Sequence, residues 1–85
     1  MHALAREVGL ALGETRKAQH RKQTEVAARA RISVPLLSRV ENGHRAITLG
    51  DLFDVCEALN VNASDVVGRA ERRIPVIGCR RPRSN

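Results

Sequence analysis

Tryptophan and tyrosine are absent from this 85-residue chain, and Phe53 is its single aromatic residue. Any core must therefore be aliphatic, and a chain of this length supports one small helical bundle and little more. Cysteine is nearly absent too. Cys56 and Cys79 are too few for a disulfide framework, and neither stands at zinc-ligand spacing from His2, His20 or His44. Free thiols in a reducing cytoplasm are the expected state, with Cys79 open to oxidation between chains. No apolar run approaches the roughly 20 residues of a membrane span. The amphipathic N-terminus carries Arg6 in the manner of a transit peptide, but Glu7 and Glu14 point instead to a first structural helix. There is no nucleophile–base set, no carboxylate pair in a pocket-forming context and no phosphate-cradling glycine loop, so an enzyme is not expected. The sequence implies no cofactor and no metal.

What the chain has in quantity is arginine, thirteen residues against two lysines, and a net charge of +6. The charge is unevenly spread. Residues 1–15 carry −1, residues 16–45 carry +6, residues 46–68 hold four acids and no base, and residues 69–85 carry +5. A polarised chain with one strongly basic stretch suits a polyanion, and arginine favours phosphate and guanine contacts. A basic composition is also what an ordinary solvated surface shows.

Hydrophobic periodicity and capping residues predict five helices and an arm. Leu4, Val8, Ala11 and Leu12 recur at helical spacing over residues 3–21, with Gly9 and Gly13 each weakening that helix by about 1 kcal/mol relative to alanine. A short second helix fits residues 23–30, with Val26, Ala27 and Ala30 inward. Ser33 is placed to cap a third helix, Pro35 sits in its first turn where a missing N–H costs nothing, and Gly43 ends it. Thr48 and Asp51 stand in capping-box spacing at the start of a fourth helix, whose expected buried stripe is Leu49, Leu52, Phe53, Cys56 and Leu59. Asn60 closes that helix. Asn62 is expected to cap a fifth, residues 63–72, and Pro75 stops helix before an extended "IPVIGC" and the basic tail "RRPRSN". Residues 1–72 thus form one domain, and 73–85 an extended segment able to serve dimerisation or remain disordered.

Arg16, "QTEVA" at 23–27, "ISVPLLSRVENG" at 32–43 and "LFDVCEALNV" at 52–61 occur in an order and spacing far more specific than any one of them. Together, over residues 8–67, they resemble the helix-turn-helix family of phage repressors and Cro proteins, the xenobiotic-response-element type. The resemblance implies an all-α, compact, lambda-repressor-like five-helix bundle, here with a short basic C-terminal arm, that binds double-stranded DNA. Its third helix would lie in the major groove, which admits one helix. By the same resemblance Val34, Pro35, Ser38 and Arg39 are the base-reading positions, and Leu37 and Val40 are core. Leu36 falls between groove edge and core. Arg39 has the fork that matches O6 and N7 of guanine, the alternative for it being a phosphate or a solvated charge. Val34 offers only apolar contact, best against a thymine methyl. Gln23, Ser33, Asn42, Gly43, His44 and Arg45 are the implied phosphate contacts, with Arg21 and Lys22 enlarging that surface. Arg16 and Glu41 match a structural ion pair beneath the turn.

The chain departs from the family pattern at three positions. Arg31 replaces the usual turn glycine and must accept left-handed geometry or reshape the turn. Arg21 takes a usually apolar site, where it must snorkel or loosen the packing. Lys22 replaces a small hydroxyl cap. The expected function is a cytoplasmic repressor-like regulator that binds a two-fold operator as a homodimer. Val66, Val67, Ile74, Val76 and Ile77 are its candidate interface. Two other readings use the same residues. In one, Arg80, Arg81 and Arg83 form a minor-groove arm that dominates DNA binding. In the other, the fold is an antitoxin or similar interaction module that masks a toxin or another regulator, with the apolar tip Val34-Pro35-Leu36 as its contact.

Overall fold

The structure, a computed structural model, describes residues 1–75. It consists of five helices: α1 (Ala3–Ala18), α2 (Gln23–Ala30), α3 (Val34–Glu41), α4 (Leu49–Ala58) and α5 (Ala63–Arg72), with no strand among the described residues. Helix α1 packs against α5 and α3, while α2 packs against α4 and α3. The core between them is aliphatic, built on Leu12, Leu37, Leu59, Val26, Val40, Val55 and Val66.

Four of the five helices end in the same hydrogen-bonded turn. The residues at its left-handed position are His20, Arg31, Gly43 and Asn60, with φ of 57°, 61°, 75° and 60°. In each turn the following N–H reaches back five residues: Arg21 to Arg16, Ile32 to Ala27, His44 to Arg39 and Val61 to Cys56. This is the double-bonded C-terminal turn that satisfies orphan carbonyls and is normally built on glycine. Arg31 therefore does accept left-handed backbone. Because His20 takes it too, α1 stops at Ala18 and does not run on to residue 21.

Helix starts follow the expected hydroxyl caps at two sites. Ser33 Oγ accepts from Leu36 N–H at 3.2 Å, and Thr48 Oγ1 accepts from Asp51 N–H at 3.1 Å. Asn62 begins α5 without a side-chain cap, its backbone carbonyl taking the bonds from Asp65 and Val66 instead.

The α4 stripe is rotated from its expected face. Leu52, Val55, Cys56 and Leu59 are buried, whereas Leu49 is 84% and Phe53 61% exposed. Both sets fit a 3.6-residue period, and the contacts with α2 select the one that brings Val55 inward. Leu49 consequently borders an apolar hollow of about 410 Å³ with Leu4, Val8, Ile47 and Val67. Burial in the α4 core pushes the Cys56 thiol up to about 11, which leaves it unreactive as well as inaccessible.

Candidate nucleic-acid interface

The α2–turn–α3 unit sits on a buried charged node. Glu41, at the last turn of α3 and only 8% exposed, accepts from Arg16 Nε at 2.8 Å and from Arg16 Nη2 at 2.9 Å. The Gln23 side-chain amide donates to the same carboxylate at 2.9 Å, and Arg16 Nη1 donates to the Arg21 carbonyl at 2.8 Å. One guanidinium thereby ties α1, the entry to α2 and the end of α3 together. The hydrogen-bonded carboxylate raises the Arg16 pKa against the opposing effect of burial. Gln23, at the start of α2, thereby braces the end of α3 through Glu41.

Close approach of α1 to α3 depends on two glycines one turn apart. A Cβ at Gly9 would stand 2.1 Å from the Val40 carbonyl oxygen, and one at Gly13 would stand 3.1 Å from Glu41 Cβ. The same residues that looked like weak points of α1 seat the second helix of the motif.

Over this base α3 presents a single exposed stripe. Pro35 and Arg39 are exposed one turn apart, with Ser38 half-buried beside them and exposed Asn42 one turn further on. Asn42 donates weakly to Ser38 Oγ at 3.4 Å. Leu37 and Val40 are fully buried. Val34 and Leu36 are half-buried and pack against the core, which places Leu36 on the core side. The apolar tip of α3 thus exposes only Pro35 to its full extent, and it is not a continuous apolar patch.

The phosphate candidates divide. Lys22, Ser33, His44 and Arg45 are exposed. Ser33 Oγ is engaged as an acceptor by its cap but keeps its hydroxyl proton to donate. Gly43 is buried, and its N–H is already given to Val40, so it offers no free donor to a phosphate. Arg21 is engaged elsewhere as well: its Nη1 donates to the Ala58 carbonyl at 2.6 Å and stands 3.8 Å from Glu25. That guanidinium occupies the usually apolar site by reaching across to the end of α4, where a backbone carbonyl satisfies its charged end.

Electrostatics sharpen the division. Arg16, Arg21, Arg69 and Arg73 bind partners within the fold; Arg73 pairs with Glu14 and lowers its pKa by hydrogen bonding. Lys22, Arg29, Arg31, Arg39 and Arg45 are exposed and make no ion pair among the described residues. Neither Arg29 nor Arg6 is among the DNA contacts expected from the sequence. Arg29 lies on the exposed side of α2, and the Arg6 side chain lies against Gly43 at the loop that follows α3. An arginine count cannot find them, because it does not separate paired from unpaired guanidinium groups.

Among the proposed interface residues, Val66 is 1% exposed and belongs to the core, so it is withdrawn from the set. Val67 and Ile74 are half-buried. Val76, Ile77, Cys79 and the arginines of the tail lie outside the described residues. No described helix is long and apolar enough to cross a membrane, and no group of three or more His, Cys, Asp or Glu among the described residues is placed to hold a metal.

A helix-turn-helix family model matches residues 12–66. No curated protein matches the chain. Two solved structures of the clp gene regulator ClgR from Corynebacterium glutamicum are similar to it. One is 30% identical with a TM-score of 0.77, covering 81% of this chain and 73% of that one. The other is 27% identical with a TM-score of 0.81, covering 91% of this chain and 100% of that one.

Proposed function

This chain belongs to the helix-turn-helix family of Cro/C1 type and is a DNA-binding transcription regulator; from that premise we propose that it is a sequence-specific, repressor-like protein that reads a two-fold operator as a homodimer. The observation that carries the reading is the single exposed stripe of α3, held rigid from beneath by the Arg16–Glu41–Gln23 node and ringed by unpaired cations. Arg39 is its guanine reader, with Ser38 a lesser polar contact and Pro35 and the edge of Val34 supplying apolar contact. Lys22, Gln23, Ser33, Asn42, His44 and Arg45 follow the phosphates. Two copies related by a two-fold axis present two such helices at a spacing of about 34 Å. The apolar hollow edged by Leu49 and Val67 supports an association of this kind.

Arg39→Ala should lower affinity for the operator by about 1–3 kcal/mol and relax preference at one G·C position, leaving affinity for random DNA nearly unchanged. Lys22→Ala should weaken binding to all sequences alike and reduce the salt slope by about one. Competition titrations on operator variants read both. An Arg39→Ala protein that keeps its full preference at every position would remove Arg39 from base reading.

A further inference from the structure

The one aromatic ring of the chain is displayed rather than buried. Phe53 projects from the outer face of α4, beside exposed Asp54 and Glu57, and borders a hollow of about 580 Å³ that Asn60 and Asp65 also line. Residues 46–68 contain no base, and none of Asp51, Asp54, Glu57 and Asp65 is in an ion pair among the described residues. A protein of net charge +6 thus leaves one helix face acidic, aromatic and unpartnered.

The ten residues after Pro75, "VIGCRRPRSN", have the complementary character: apolar residues followed by three arginines. They can also reach. The hollow adjoins the N-terminal end of α5, a ten-residue helix about 15 Å long, while ten extended residues span up to about 33 Å. We propose that residues 76–83 of this same chain dock on the outer face of α4, with Arg80, Arg81 and Arg83 over Asp54, Glu57 and Asp65 and an apolar residue of the segment against Phe53. A single exposed ion pair is weak, but a short tether supplies an effective concentration in the mM range and three arginines act together. Docked in this way, the tail covers the exposed ring and withholds its arginines from DNA. The inference does not depend on which operator the protein reads.

A nitroxide attached to Cys79 of the full 85-residue protein tests it. The only other thiol, Cys56, is buried and does not compete. At low salt the label should broaden the amide signals of Phe53, Glu57 and Asp65. The broadening should be lost in a Glu57→Lys/Asp65→Lys protein and in an Arg80→Ser/Arg81→Ser/Arg83→Ser protein, whose changes lie in the tail and leave the helical core untouched. It should also fade near 1 M salt, where the Debye length falls to about 3 Å. Broadening that survives both sets of charge changes would mean a loose tail and overturn the proposal. So would broadening carried from labelled to unlabelled copies in a mixture, which would assign the face to a second molecule.

Discussion

Replacing Arg16 by alanine is expected to remove roughly 3–5 kcal/mol of stability, because it strands a carboxylate that the fold has already taken out of water. The Glu41 side chain is 5% exposed, and two of its three hydrogen bonds come from Arg16. Gln23 alone cannot balance the charge. In a domain of this size each kcal/mol moves the thermal midpoint by about 4–8 °C, so a marginal protein would melt near ambient temperature. The pair is less valuable than the cost of breaking it suggests: an Arg16→Met/Glu41→Leu protein should be more stable than either single variant, since no charge is left buried. Far-UV circular dichroism melts of the three proteins measure this, and an unchanged midpoint for Arg16→Ala would show that the node bears no load.

Gly9→Ala is expected to destabilise the protein, against the helix propensity that favours alanine by about 1 kcal/mol. The new methyl group would need to occupy a point 2.1 Å from the Val40 carbonyl oxygen. A backbone oxygen cannot swing aside as a side chain can, so α3 must move away from α1. Overpacking of a core costs roughly 1–3 kcal/mol, and more where backbone must shift. The displacement also carries Glu41 from Arg16 and re-aims the exposed stripe, so DNA affinity should fall even in the fraction that remains folded. Denaturant midpoints and DNA binding, measured together, check the claim. A midpoint that rises would mean that α1 and α3 do not approach as closely as the structure has them.

These two residues show how much of the molecule can be read from its sequence. Helix α3 was legible because its ends carry chemistry that works locally: a Ser33 cap, Pro35 in the first turn and Gly43 at the stop. The end of α1 was hidden because His20, which gives no such signal, holds the left-handed position that glycine usually marks. The buried face of α4 was ambiguous by construction, since Leu49 and Phe53 fit the same period as Val55 and only the packing of α2 decides between them. Gly9 was misread in sign, because propensity describes one helix alone and Gly9 is defined by its neighbour. Val66 looked available for an interface because a pattern of valines does not say which one the core has claimed. At the interface, the polar stripe of α3 and the Arg16–Glu41 pair were visible in the motif, while the diversion of Arg21 to Ala58 required the fold.

The most direct test of the central claim is a salt titration of binding to two DNAs, one from the region upstream of its own gene and one of random sequence. Neutralised phosphates make log affinity fall linearly with log salt on both, by nearly one unit of slope per phosphate contacted. A regulator that reads bases should in addition hold its own site about 10³-fold or more above random DNA at physiological salt. Equal affinity for the two sequences across the titration, or binding indifferent to salt, would contradict the assignment of α3 as a reading helix.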